Sequence, residues 1–231
     1  MVSTSVNLLK SVACFAALNT EILECLLVSV KDRSFAKGEV ILQEGESCPG
    51  LFVIRSGSVK LYRTSWSGDE QIMRVVVTGD CFECAPLFDK GPNPVSAQAL
   101  EACNTVFIPV AGFEATISKY PEVILQLVPI LSMRLRDSLN TIEDFSFRRV
   151  PTRIAKLLLQ LGERQDKNKQ IALPLSLTQH HLASIVGCSR QVLNGYLQEL
   201  VGDGIIKIEN RRIFILSPKR LMELIGSKAN G

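Results

Sequence analysis

The sequence predicts an α+β protein. An N-terminal antiparallel β-barrel of the double-stranded β-helix or jelly-roll type is followed by a long dimerisation helix and a C-terminal winged helix-turn-helix. Three observations predict this order: glycine-punctuated apolar runs, a later heptad of apolar residues, and two short helices followed by a β-hairpin. With 231 residues, 46% of them hydrophobic, the chain can bury two cores. We expect domains at residues 1–119, 120–147 and 148–231.

The barrel is predicted from residue 34 to about residue 117, where glycines separate short apolar runs at near-regular spacing. Residues 5–30 predict short amphipathic helices packed beside it. The predicted strands include residues 51–54, 59–63, 71–77, 97–100 and 104–109.

The long helix is predicted to begin near residues 120–122, with Pro121 in its first turn. Apolar steps of four and three then form a heptad seam, a pattern typical of a dimeric coiled coil. The alternative is a single helix lying on its own barrel. Pro129 should kink the helix, and a polar Ser138 at a core position either fixes register or faces something bound. The seam is Ile124, Val128, Leu131, Leu135, Ser138, Ile142 and Phe145.

Residues 178–197 carry the strongest functional signal, two short apolar-periodic helices separated by Gly187-Cys188-Ser189. Gly187 can take the positive φ that so short a turn needs, and Thr178 and Ser189 are natural N-caps. This pattern predicts a helix-turn-helix whose second helix can enter a DNA major groove. The predicted inward residues are Leu182, Ile185 and Val186 on the first helix and Val192, Leu193, Tyr196, Leu197 and Leu200 on the second.

The outer face of the second helix carries Arg190, Gln191, Asn194 and Gln198. Arg can bind guanine, and Asn or Gln can bind adenine, through two hydrogen bonds each. The alternative is an ordinary helical hairpin with a polar outer face. The candidate DNA-contacting residues are Thr178, Gln179, His180, Ser189, Arg190, Gln191, Asn194, Gln198, Arg211 and Arg212.

The flanking segments favour DNA binding. Residues 204–216 predict a β-hairpin with its turn near Glu209 and Asn210, and residues 150–160 predict a supporting helix with Pro151 in its first turn. Residues 147–231 hold 14 Lys or Arg against 6 Asp or Glu, a net charge of +8, whereas the preceding residues hold 12 against 17. The basic part is therefore the part with the helix-turn-helix, as phosphate neutralisation requires.

Four segments together resemble the CRP/FNR family of bacterial transcription regulators. They are residues 35–45, residues 51–62, Gly79-Asp80 followed by Leu87-Phe88, and residues 185–190. The resemblance implies a homodimer on a two-fold symmetric site in double-stranded DNA, contact with RNA polymerase, and a small-molecule effector in or near the barrel. An effector shifts the equilibrium only if it binds the DNA-competent state more tightly.

The effector site departs from the family's cyclic AMP pattern. Members that bind cyclic AMP place a Glu where this chain has Cys84, and Arg with Ser or Thr where it has Pro94 and Val95. No Arg lies between Arg74 and Arg134, and a buried phosphate without a cation or donors is costly. We therefore expect another effector or none, although Ser138 matches a family position that meets adenine. The candidate effector-pocket residues are Cys81, Phe82, Glu83, Cys84, Val95, Ser96 and Ser138.

Seven cysteines without an apparent export signal predict reduced thiols and a cytoplasmic protein, and no apolar run is long enough to span a membrane. Cys81 and Cys84 form a CxxC that can hold zinc or an iron–sulfur cluster or form a redox disulfide, but a closed metal site or cluster needs four ligands, which disfavours both. We favour cysteines acting as small hydrophobic residues and predict no cofactor. The two histidines, His180 and His181, lie outside the barrel, which disfavours a His-ligated haem or a cupin-like enzyme. A regulatory module acting through protein contacts is the alternative function.

Overall fold

The protein is described from a computed structural model that covers residues 6, 9–10, 12, 15–82, 85–163, 177–210 and 212–226. The chain divides into two compact units, Met1–Asp137 and Ser138–Gly231.

Two four-stranded antiparallel sheets form the jelly-roll of the first unit. One has the strand order β1-β8-β3-β6 and the other β2-β7-β4-β5. The predicted barrel is therefore confirmed. The strands are β1 (Lys31–Phe35), β2 (Val40–Leu42), β3 (Gly50–Ser56), β4 (Ser58–Thr64), β5 (Glu70–Val77), β6 (Cys81–Phe82), β7 (Ser96–Ala99) and β8 (Cys103–Pro109).

An aromatic cluster fills the space between the two sheets. The Phe52 ring stacks on Phe82 with centroids 5.1 Å apart and lies 4.8 Å from the Phe107 ring. Val59 and Val76 from the opposite sheet complete this apolar core. Alternating inward residues from both sheets thus close the barrel from inside.

Gly57 sets the tight hairpin between β3 and β4. Its φ is +89°, and a Cβ at this position would lie 2.6 Å from the Ala102 carbonyl oxygen. Any other residue would strain the backbone and clash with the neighbouring chain, so the hairpin requires glycine.

The helices beside the barrel whose bounds lie within the described residues are α1 (Thr20–Leu27), α2 (Pro86–Asp89) and α3 (Val110–Lys119). Our expectation of strands to about residue 117 is wrong, because the chain turns helical after Pro109. Phe113 and Thr116 are buried at helical spacing, and Ile117 packs beside them against the outer face of the β1-β8-β3-β6 sheet. The short α2 was not predicted.

Helix α4 (Val123–Phe147) begins later than predicted. The hydrogen bonds from Val123 N to Tyr120 O and from Ile124 N to Pro121 O span three residues, so this segment is a tighter turn outside the helix. Tyr120 has φ −132° and ψ 77°, in keeping with the bias of a residue before proline away from helical geometry. Pro129 lies inside the helix.

The predicted seam of α4 is largely exposed in the single chain. Leu135 and Ile142 are 63% and 61% exposed, and Ser138 is exposed between them. Leu131 instead packs partly against the barrel cluster. Isolated exposed apolar residues are ordinary, but a stripe of them marks an interaction surface.

The second unit is a winged helix-turn-helix, as predicted. Its α5 packs against α8 and α6, and Ile154, Leu158 and Leu221 are buried there. Among the helices that the structure describes, none offers an apolar stretch long enough to cross a bilayer. The elements are α5 (Val150–Glu163), α6 (Gln179–Val186), α7 (Arg190–Gly202), β9 (Ile206–Glu209), β10 (Arg212–Ile215) and α8 (Pro218–Gly226).

Candidate nucleic-acid interface

The N-terminus of α6 is fixed by a capping box. The Thr178 Oγ accepts a 3.2 Å hydrogen bond from the backbone N–H of His181, and the Thr178 N–H donates to His181 Nδ1 at 3.3 Å. The predicted cap is therefore confirmed, with a histidine where Glu or Gln is usual. Thr178 and His180 are exposed and Gln179 is half-buried, so this end of the helix faces solvent.

The turn between the two helices has the predicted geometry. Gly187 takes φ 72° and ψ 52°, and its N–H donates to the Ala183 carbonyl at 2.9 Å. The Ser189 side chain then accepts a 3.2 Å hydrogen bond from the Val192 N–H, which caps α7. Helix α7 therefore starts at Arg190 with its first turn held in place.

Helix α7 presents one buried and one exposed face. Leu193, Leu197 and Leu200 are buried, whereas Arg190 and Gln191 project from the exposed first turn. Gln198 is also exposed and Asn194 is half-buried, with its Oδ1 buried and making no hydrogen bond among the described atoms. This side of the helix thus offers side chains able to donate and accept hydrogen bonds.

Val192 and Gly195 change the predicted character of α7. We predicted Val192 as a core residue, but it is 49% exposed, because it lies on the same side as Arg190 and Gln191. A Cβ built at Gly195 would meet nothing within 4 Å. The exposed side therefore combines the apolar Val192 side chain with an uncovered stretch of backbone at Gly195, and of these two features the exposure of Val192 departs from the prediction.

The wing follows as a two-stranded hairpin. Arg212 of β10 pairs with Glu209 of β9, and Asn210 turns the chain with φ 49°. Arg212 is exposed at this tip, while Arg211 lies outside the described residues. Lys207 forms a 2.6 Å ion pair with Glu209. The tip is thus placed at the surface of the second unit, where a cation is accessible.

Two of the effector-pocket candidates, Cys81 and Phe82, are neighbours on β6. The side chains of Cys81 and Phe82 point to opposite faces of β6. Cys81 belongs to the apolar cluster between the sheet and helices α1 and α3, whereas Phe82 belongs to the core inside the barrel. Glu83 and Cys84 lie outside the described residues. Cys81 and Phe82 therefore serve different sides of the sheet.

The other effector candidates that the structure describes are Val95, Ser96 and Ser138. Val95 packs partly against the core inside the barrel. The Ser96 Oγ, buried, accepts a 3.0 Å hydrogen bond from the Glu44 N–H. Ser138 is an exposed residue of α4.

The described cysteines give no sign of a metal centre. No group of three or more His, Cys, Asp or Glu side chains able to hold a metal occurs among residues with described positions. Burial, reinforced by the nearby Glu101 carboxylate, raises the pKa of the Cys103 thiol to about 11. Cys103 is thus a protonated thiol of the barrel interior at neutral pH.

Two family models match separate parts of the chain. Residues 32–120 match the cyclic nucleotide-binding domain, and residues 152–224 match the Crp-like helix-turn-helix domain. The CRP-like cAMP-activated global transcriptional regulator of Mycobacterium tuberculosis is 31% identical over 217 residues, covering 93% of this chain and 97% of that protein. The chain belongs to the CRP/FNR family of transcription regulators.

Solved structures share the fold. FixK2 from Bradyrhizobium japonicum has a TM-score of 0.76 at 20% identity, over 84% of this chain and 96% of that one. A CRP/FNR regulator from Thermus thermophilus has a TM-score of 0.70 at 26% identity, over 85% and 98%. The resemblance predicted from sequence is confirmed. The chain is a DNA-binding transcription regulator that acts through its helix-turn-helix and is not an enzyme.

Proposed function

We propose that the protein is a homodimer that binds a two-fold symmetric DNA site by placing α7 of each protomer in successive major grooves. Residues 1–119 would sense an effector, residues 120–147 would join the protomers, and residues 148–231 would bind DNA. Recruitment of RNA polymerase, which the family implies, would follow from this complex. Two-fold protein symmetry matches half-sites about 34 Å apart, one turn of duplex.

The exposed stripe of α4 supports the dimer. Ile124, Val128, Leu135, Ile142 and Phe145 are all at least 38% exposed in the single chain and fall at heptad spacing. A second copy of the same helix would cover such a stripe by knobs-into-holes packing. A helix that served only its own barrel would not repeat apolar residues along its solvent side.

Our proposal of how DNA is recognised rests on the capped first turn of α7. Arg190 and Gln191 project into solvent from a helix start held by Ser189, so both can reach base edges. Val192 beside them can contact a thymine methyl group, and Gly195 leaves room for the duplex backbone. Phosphate contacts would come from both helix starts and the wing. The residues we assign to DNA are Thr178, Gln179, His180, Ser189, Arg190, Gln191, Asn194, Gln198, Arg211 and Arg212.

Substitution of Arg190 tests this assignment. We expect Arg190→Ala to remove specific binding to a duplex selected by the wild-type chain while the dimer and its unfolding midpoint stay unchanged. Lys219→Ala, which removes the same charge from the exposed start of α8, is the matched control. Each should be measured by gel-shift titration. Wild-type affinity in the Arg190→Ala variant would contradict the assignment.

We further infer that cyclic AMP is not the effector. The two arginines that bracket the ligand segment are engaged within the first unit, Arg74 near Asp80 at 3.7 Å and Arg134 on the Cys81 carbonyl at 2.8 Å. The Ser96 hydroxyl holds the Glu44 backbone. A cyclic phosphate would therefore enter this region without a dedicated cation, which is unfavourable when it is buried.

Isothermal titration calorimetry of the full chain with cyclic AMP decides this point. We expect no saturable heat up to about 1 mM nucleotide, an affinity weaker than roughly −4 kcal/mol. The M. tuberculosis regulator, which is cAMP-activated by name, is the positive control. A micromolar dissociation constant for this chain would overturn the inference.

A further inference from the structure

Arg153 of α5 joins three segments of the second unit through one guanidinium group. Its Nε donates to the Val186 carbonyl at 3.0 Å, its Nη2 to the Gly187 carbonyl at 3.4 Å, and its Nη1 to the Arg148 carbonyl at 3.0 Å. Val186 and Gly187 end α6, whereas Arg148 lies between α4 and α5. One side chain thus spans the end of α6 and the connection that follows the long helix.

The acceptors suit a cation of this shape. The last carbonyl groups of a helix lack partners within the helix and carry partial negative charge, so a positive side chain there is favourable. Three acceptors in different directions match the planar fork of Arg, whose five N–H groups are fixed in one plane. Lysine, a point charge on a flexible stem, cannot hold all three at once.

The end of the long helix adds a fourth contact. The Arg153 Cζ lies 4.7 Å from the centroid of the Phe145 ring, within cation–π range. Phe145 belongs to the last turn of α4. The guanidinium is therefore fixed both by hydrogen bonds in its plane and by an aromatic ring against its face.

The turn that Arg153 holds leads directly into α7. Only Gly187, Cys188 and Ser189 separate α6 from Arg190, and Ser189 is the cap that starts α7. A displacement of the Gly187 carbonyl would thus be passed to the first turn of α7 through two residues. No contact of Arg153 involves a side chain of the exposed side of α7 among the described atoms.

We propose that Arg153 is a positioning residue that fixes the start of α7 relative to the end of α4, so that sequence-specific DNA affinity depends on it without direct contact with DNA. The proposal rests on reading of DNA by α7. Base recognition through paired hydrogen bonds needs accurate placement, whereas phosphate contacts by flexible cations do not. Loss of Arg153 should therefore lower specific binding more than non-specific binding.

Hydrogen exchange of the full chain, measured without DNA, tests whether the Arg153 hydrogen bonds hold the turn and the segment before α5. In Arg153→Gln we expect faster exchange of the amides of Gly187 and Cys188 in the turn and of Arg148 before α5. Arg149→Gln removes the same charge from an exposed neighbour and should leave these amides unchanged. Wild-type exchange in Arg153→Gln would overturn the proposal whatever the DNA measurements give.

DNA binding then separates positioning from other roles. We expect Arg153→Gln to lose about tenfold or more in the ratio of specific to non-specific affinity, the size of one lost charge-assisted hydrogen bond. The salt dependence should keep its slope, because a phosphate contact would lower it by about 0.9 per phosphate. A lower slope, or an unchanged ratio with only a lower unfolding midpoint, would contradict positioning.

Arg153→Lys keeps the charge and most of the stem, so it provides a folded variant if Arg153→Gln is unstable. We expect only partial recovery of the affinity ratio, since an ammonium group cannot reach three carbonyl groups together. Full recovery would show that charge alone suffices and would overturn the proposal. A wild-type chain with no sequence preference would contradict the proposed function instead. The exchange experiment would still show whether Arg153 holds the turn in place.

Discussion

The guanidinium of Arg134 donates a 2.8 Å hydrogen bond to the carbonyl oxygen of Cys81, and its Nη2 lies 3.7 Å from the Cys81 Sγ. Arg134 belongs to α4, and Cys81 is the first residue of β6 and one of the effector-pocket candidates. Within the first unit, the long helix is thus linked directly to the strand that carries this candidate.

Removing this link should destabilise the first unit. We expect Arg134→Met to lower the free energy of unfolding by about 1.5–3 kcal/mol, as for hydrogen bonds made by charged groups. Arg136→Met, an exposed change on the same helix, should stay within about 0.5 kcal/mol of wild type. Denaturant unfolding followed by circular dichroism measures both. Equal values for the two variants would contradict the role of the Arg134 contact.

The caps of the helix-turn-helix should each contribute measurably. Thr178→Ala and Ser189→Ala each remove a side-chain acceptor from a helix N-terminus, which costs about 1 kcal/mol of unfolding free energy. Glycine at either position should cost only a few tenths of a kcal/mol relative to the native residue. Thermal unfolding of the four variants tests the order, and a loss in the glycine variants as large as in the alanine variants would refute it.

The α4 stripe should control association. Leu135→Glu places a charge in the proposed dimer seam, and loss of about 1.5–3 kcal/mol per buried leucine should weaken dimerisation more than tenfold. Leu125→Glu is the matched control, because Leu125 is 70% exposed but lies off the seam. Sedimentation velocity reports both. Equal weakening by the two variants would place the interface elsewhere.

The Cys103 thiol gives a pH-dependent prediction. Its pKa is raised from 9.0 to about 11 by burial, so iodoacetamide at pH 8 should leave Cys103 unlabelled in the folded chain while half-buried Cys25 is labelled. The folded state holds this proton more tightly than the unfolded state. Stability should therefore be constant below pH 9 and fall as the pH rises toward 11. Peptide mass spectrometry that finds equal labelling of both cysteines at pH 8 would contradict the assignment.

Local signals were sufficient to predict the helix-turn-helix. The caps at Thr178 and Ser189, the positive φ of Gly187 and the wing turn at Asn210 depend on neighbouring residues, and all four are present. The exposed side of α7 also followed from period 3.6, apart from Val192, because a helix of this length cannot bury every apolar residue.

Features set by distant contacts were not predictable. Helix α3 follows β8 directly. Packing against the sheet behind it, rather than helix propensity, determines that residues 110–117 form a helix. The opposite placement of Cys81 and Phe82 depends on pairing of β6 with β3. The contacts of Arg153 join residues up to 34 positions apart, which spacing along the chain does not reveal.

Sedimentation of the full chain with a selected duplex tests the central claim most directly. We predict two chains on one duplex that carries half-sites one helical turn apart, and loss of specific binding when about five base pairs, half a turn, are inserted between the half-sites. One chain per duplex, or affinity that ignores the inserted half-turn, would contradict a symmetric dimer reading two successive grooves.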